Sequence, residues 1–131
     1  MFEKRMLATW GDMDFNGHMR NTAFLDKSAD IRLMFFAEHG LPIEHFVRLG
    51  IGPVVRKDDI EYFREIRLLE EMRVTLATAG LSEDGARFVM RNEFWRSRQL
   101  AGSTRHQLRR LAGSPGAQAG GSTRDVAGGP A

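Results

Sequence analysis

Residues 12–40 read DMDFNGHMRNTAFLDKSADIRLMFFAEHG, and the organisation of the chain turns on them. The first ten are polar and rich in turn formers, with Gly17 near their centre. Asn21 or Thr22 can cap a helix that runs to about His39, with Gly40 as its C-terminal stop. That helix is apolar on most sides. Phe24, Ile31 and Phe35 fall near one face, and Leu25, Ala29, Leu33 and Phe36 fill neighbouring rows, so it must be enclosed. Upstream, residues 3–10 read as a strand. Downstream, LPIEHFVRLGIGP connects to strand-like stretches at 54–66, 72–80 and 86–96. In the last of these Phe88, Met90 and Phe94 alternate with Arg91 and Glu93, the period of a half-buried strand. A strand, one long buried helix and an antiparallel meander make an α+β domain whose sheet wraps on the helix.

Composition narrows the function classes. A chain of 131 residues holds one domain, and 42% apolar with 27% charged residues is ordinary for a globular protein. Without cysteine there is no disulfide, thiolate nucleophile or thiolate metal site. No apolar run is long enough to span a bilayer, and MFEKRMLATW lacks a signal-peptide core, so a cytoplasmic protein with no membrane partner is expected. The pI of about 9.5 is misleading as a nucleic-acid signal. Residues 1–97 hold 14 Lys and Arg against 16 Asp and Glu, whereas residues 98–131 hold five Arg against one Asp. The basic charge belongs to the tail and comes without clustered aromatics, so no nucleic-acid partner is expected.

The chemistry-bearing residues lie in the loop. Asp12 and Asp14 stand close to a helix start, whose free amides carry partial positive charge and can polarise a carbonyl. A carboxylate beside such a carbonyl can serve as nucleophile or as base for water while the amides stabilise the oxyanion. Three other readings compete. Asp12, Asp14, Asn16 and Gly17 match the opening of a calcium-binding EF-hand loop, but its twelfth position is Ala23 rather than glutamate. Asp12, Asp14 and His18 could ligate a transition metal, with no further ligand nearby. Asp and Asn in a glycine-containing loop are also plain turn formers.

The pattern D-x-D-x-x-G-H-x-x-N followed by this helix resembles the hotdog-fold acyl-CoA thioesterases of the 4-hydroxybenzoyl-CoA thioesterase type. The resemblance covers residues 1–97, with DDIEYFREIRLLEEMRV similar to the family's second strand and following turn. It implies a hotdog fold in which Asp14 is the catalytic carboxylate, and the amide of about Asn21 polarises the thioester carbonyl. Gly17 would permit the tight turn, His18 and Asn21 would fix the loop, and Asp12 would be structural. Asp26 and Asp30, on the helix, are better read as solvated or salt-bridged. Tyr62 and Arg64 are candidates for lining the acyl or pantetheine channel, and Arg87 for meeting a CoA phosphate. His39 and His45 read as residues complementing the helix end. The resemblance further implies an acyl-CoA substrate, a homodimer or homotetramer, and no metal or other cofactor. A non-catalytic acyl-CoA-binding hotdog domain is the alternative. A dehydratase would need a His/Asp pair, which the sequence does not display.

The tail departs from that family. All 12 aromatic residues and all seven methionines lie at or before Trp95, and residues 98–131 hold half of the 14 glycines. Such a Gly/Arg-rich segment is expected to be disordered. One choice of codons that encodes residues 109–123 as written gives GGWLDLPARKLVAPP when read one base later, which resembles the family's last strand and ending. The sequence therefore suggests a domain of residues 1–97 and a tail out of frame from about residue 98. The last strand would be missing and the thioesterase impaired.

Overall fold

The structure, a computed structural model, describes residues 1–40, 44, 48, 51–84 and 86–112. Strand β1 (Phe2–Leu7) leads through a 3-10 turn (Trp10–Asp12) and the loop to helix α1 (Asn21–Glu38). Strands β2 (Ile51–Tyr62), β3 (Glu71–Leu81), β4 (Arg87–Arg96) and β5 (Gln99–Ala112) follow. They form one antiparallel sheet in the order β1-β3-β4-β5-β2, with α1 packed on one face. This is the expected α+β hotdog arrangement. Among the described residues no helix is long and apolar enough to cross a membrane.

Alternation decides which side chains meet the helix. Met90 and Phe94 on β4 and Leu108 on β5 point inward with Met72, Val74 and Leu76 of β3, and Ala23, Phe24 and Ile31 close the core from α1. The helix crosses the sheet obliquely. Near its start Phe24 meets Phe94 and Tyr62 edge-on, at ring centroid distances of 5.0 and 5.3 Å. Near its end Phe35 meets Phe2 of β1 at 5.3 Å, and Lys4 pairs with Glu38 at 2.5 Å. Gly40 ends α1 at φ +81°, as a left-handed stop requires. The N-terminus differs from expectation: Arg20 occupies the cap position, and no side chain caps the helix. Thr22 instead accepts a hydrogen bond from Arg20 Nε at 2.7 Å.

The largest correction concerns the tail. Residues 99–112 are not disordered; they form β5, which lies inside the sheet between β4 and β2. The expectation that these residues are disordered, and that the last strand is missing, does not hold. The strand was hidden because its inward positions 102, 104, 106 and 108 are Gly, Thr, His and Leu, and its outward ones include Arg105 and Arg109. The inward polar groups are satisfied internally, as buried polar groups must be. Thr104 Oγ1 is 2.7 Å from Ser28 Oγ on the helix and donates to Asn92 Oδ1 at 3.2 Å. His106 Nε2 lies 3.0 Å from Thr104 Oγ1, and its Nδ1 lies 2.5 Å from Asp58 Oδ1 on β2. Asn92 Nδ2 donates to the Thr75 carbonyl at 3.0 Å. A hydrogen-bonded chain thus replaces a hydrophobic stripe. Residues 113–131 and His45 lie outside the described residues.

Gly102 shows how closely α1 approaches β5. A Cβ there would stand 3.0 Å from the Glu61 carbonyl oxygen and 3.1 Å from Phe24 Cε1. Gly102→Ala is expected to destabilise the fold by about 1–3 kcal/mol through overpacking. A thermal melt within 2 °C of wild type would contradict this close contact.

Candidate active site at the loop before the helix

The loop folds as a narrow hairpin leaning on the helix start. Met13 and Met19 form an antiparallel bridge, the Asp14 N–H donates to the His18 carbonyl at 2.7 Å, and the Arg20 N–H donates to the Asp12 carbonyl at 2.8 Å. Gly17 turns the tip at φ +79°, a conformation that favours glycine. The far arm is pinned to the β2–β3 connection: the Met19 N–H donates to the Ile66 carbonyl at 2.7 Å, and His18 bridges to Arg67.

Asp14 is held by one oxygen only. Its Oδ1 accepts the backbone N–H groups of Asn16 at 2.9 Å and His18 at 3.0 Å. Its Oδ2 has no hydrogen bond among the described residues. The His18 backbone hydrogen bond, with that of Asn16, holds this carboxyl below the usual carboxylate range, so it is ionised at neutral pH. The His18 ring is half-buried, with Nε2 3.1 Å from Glu65 Oε2.

Asp12 plays a different part. Its Oδ2 accepts from the Thr9 N–H at 2.9 Å and Thr9 Oγ1 at 3.1 Å, and lies 3.0 Å from Lys27 Nζ. Burial alone would push the Asp12 carboxyl up, but the Thr9 and Lys27 contacts together bring it below its usual value. An ammonium therefore stands against the carboxylate that an EF-hand loop would turn toward calcium. Among the described residues no cluster of three or more potential ligands could hold a metal ion.

Beside the loop lies a depression of about 310 Å³, lined by Asp14, His18, Asn21, Phe24, Tyr62 and Arg64 among others. It brings together five of the candidates read from the sequence. Gly17 shapes the loop without lining the depression, and Arg87 does not line it either. Arg87 stands opposite Arg109, at the other end of β4 from Phe94, which pairs with Gly102 of β5. The floor comes from Phe24, Met19 and Ile66, and the wall from Tyr62, Phe63 and Glu65. Burial raises the pKa of the Tyr62 phenol. A larger depression of about 450 Å³ lies over β2, β4 and β5 among Asp59, Glu61, Arg91, Ser103 and Arg105, and among the described residues its lining comes from these strands alone.

Sequence reasoning missed Phe63, Glu65 and Lys27. The first two follow Tyr62 in the chain and could have been found with it. Lys27 carries no sequence signal beyond being a cation on a helix that is apolar on most sides. The structure also holds a His/Asp pair, His106 with Asp58, but His106 is buried against Thr104 and neither residue lines the depression beside Asp14.

A family model for the thioesterase-like superfamily matches residues 8–110. The chain belongs to the thioesterase-like superfamily. The match runs nearly to the end of β5, in keeping with the strand's place in the sheet. Among solved structures, a probable thioesterase from Bartonella henselae superposes with a TM-score of 0.78 at 17% identity, covering 84% of this chain and 90% of that one. A 1,4-dihydroxy-2-naphthoyl-CoA thioesterase from Synechocystis gives 0.73 at 16% identity, over 85% and 82%. A Staphylococcus aureus protein solved in complex with CoA gives 0.77 at 19%, over 85% and 70%. Sequence comparison with curated proteins finds no match. At these identities the superpositions establish the superfamily's fold for this chain.

Proposed function

We propose that the protein hydrolyses acyl-CoA thioesters to the free acid and CoA, with Asp14 as the catalytic carboxylate. One observation carries the reading: Asp14, whose Oδ2 has no hydrogen bond among the described residues, and Asn21, at the uncapped start of α1, line the same depression. The thioester carbonyl would sit toward the Asn21 amide, which polarises it and stabilises the oxyanion. Asp14 Oδ2 either takes a proton from water as that water attacks the carbonyl carbon, or attacks the carbon itself. In both routes the C–S bond breaks, CoA leaves as thiolate and is protonated by solvent, and the acyl group ends with an oxygen from water. Gly17 and His18 hold the carboxylate in place. Tyr62 and Phe24 offer apolar contact to the acyl group, and Arg64 offers charge to the coenzyme. No metal or redox cofactor enters any step.

A homo-oligomer is proposed from what the single chain leaves open. Strand β2 is an edge of the sheet, paired among the described residues with β5 alone, and Val54 and Val55 on it are partly exposed, as are Leu33 and Met34 of α1. An edge strand with one row of unpaired backbone groups can template pairing with another chain. A second copy joined at β2 is the proposed partner, with light scattering expected to give at least twice the 14.8 kDa chain mass.

The deciding experiment is thiol release from a panel of short-chain, long-chain and aromatic acyl-CoA thioesters. Turnover of at least one member supports hydrolysis. Saturable binding of the same compounds without thiol release would replace the hydrolase with a non-catalytic acyl-CoA-binding domain.

A further inference from the structure

Lys27 sits on the second turn of α1, nine-tenths buried among core residues. Burying an ammonium is costly, and a leucine or methionine would fill the same space with less penalty. The cation must therefore be explained by its partner. That partner is Asp12, 3.0 Å from Nζ and itself little exposed. Asp12 is the hub of the hairpin base. Its side chain takes the Thr9 N–H and hydroxyl on the entry side, and its main-chain carbonyl takes the Arg20 N–H on the exit side. Arg20 is the residue immediately before α1, and its carbonyl accepts the Ala23 N–H of the first turn.

We infer that Lys27 is a positioning residue, a strut that sets the lean of the hairpin on the helix and so the separation of Asp14 from the helix-start amide at Asn21. The inference rests on the hydrolytic reading above. The opposite arm of the hairpin is fixed by the Met19–Ile66 hydrogen bond. The Lys27–Asp12 pair supplies the second anchor, and with one anchor lost the hairpin can rock about the other. A displacement of about 1 Å between reacting groups can cost roughly a hundredfold in rate. Substrate affinity, which depends on the depression's walls, should change little. Arginine can reach Asp12 with a charged group, so it should substitute in part; methionine keeps the length but not the charge.

The test uses the full chain with Lys27→Met, Lys27→Arg and Asp12→Asn. Lys27→Met is expected to lower kcat by about 10- to 100-fold with KM within twofold, and Lys27→Arg to recover most of the loss. Amide hydrogen exchange supplies a readout independent of turnover. In Lys27→Met the amides of Arg20 and His18 should exchange at least tenfold faster, while those of β4 and β5 keep their protection. Loss of protection across the sheet would mean a general structural role and overturn the inference. So would a folded Lys27→Met with kcat within threefold of wild type, or equal losses from methionine and arginine. Should Lys27→Met fail to fold, Asp12→Asn takes its place under the same criteria, and Lys27→Arg is still expected to stay near wild type. A wild-type protein without turnover overturns the hydrolytic reading and with it the positioning role, whereas normal wild-type turnover with unaffected variants overturns the strut alone.

Discussion

Asp14→Asn is expected to lower kcat for acyl-CoA hydrolysis by roughly 10²- to 10⁴-fold, the range for loss of a positioned catalytic carboxylate. Asparagine is the informative replacement. Its amide oxygen can still accept the Asn16 and His18 N–H groups that Asp14 Oδ1 accepts, so the hairpin tip should persist. What disappears is the negative charge and the free second oxygen. KM and the thermal midpoint should therefore stay near wild type. The pH dependence carries a second expectation with a definite sign. Because the native carboxyl is held below its ordinary value of 3.8, Asp14 is ionised at every pH above that. Activity should be level through neutrality on the acid side, and fall only as the pH drops through the lowered native value. An acid limb centred near pH 6 would mean that another group titrates, and Asp14→Asn with more than a tenth of wild-type turnover would remove Asp14 from the chemistry.

The largest stability effect is expected from Phe94→Ala. Phe94 is fully buried on β4 and meets Phe24 edge-on, and Phe24 in turn meets Tyr62. Truncation removes the transfer energy of a whole ring and leaves a cavity that β4 and α1 can only partly close, a loss of about 3–5 kcal/mol. For a domain of this size that corresponds to a fall in thermal midpoint on the order of 15 °C. The effect should reach the site as well, because Phe24 and Tyr62 both border the depression beside Asp14. A raised KM is therefore expected in the protein that remains folded. A fall of less than 5 °C, measured by calorimetry, would mean that the core repacks around the missing ring.

Much of the fold was readable because it rests on local signals. The helix stop at Gly40 and the alternation in β4 depend on residue type and spacing, which act over a few residues. The strand limits shifted by a few positions, since ends are set by pairing partners; β2 begins at Ile51 rather than 54 because it meets the far end of β5. The cap was misassigned for a related reason. Asn21 and Thr22 have capping side chains, but the hairpin's return hydrogen bonds place the helix start one residue earlier, at Arg20.

Strand β5 was not legible. A strand is recognised from an apolar inward face, and here Thr104 and His106 take that place because Ser28, Asn92 and Asp58 wait across the interface to bond them. Those partners lie 12, 48 and 76 residues away in the chain, so no local window contains them. The same holds for Lys27, whose meaning depends on a carboxylate that only the folded hairpin delivers.

By itself the sequence determined the α+β plan, the loop before a long helix, and the resemblance that singles out Asp14, because each is written in neighbouring residues. The tertiary structure alone decided that the last strand is present through residue 112, that Asp12 faces a buried lysine, and that Tyr62 and Arg64 border the same depression as Asp14 while Arg87 does not. Those outcomes depend on the pairing of distant segments, where a polar residue is buried or exposed, and active or inert, according to what the far strand or helix brings against it.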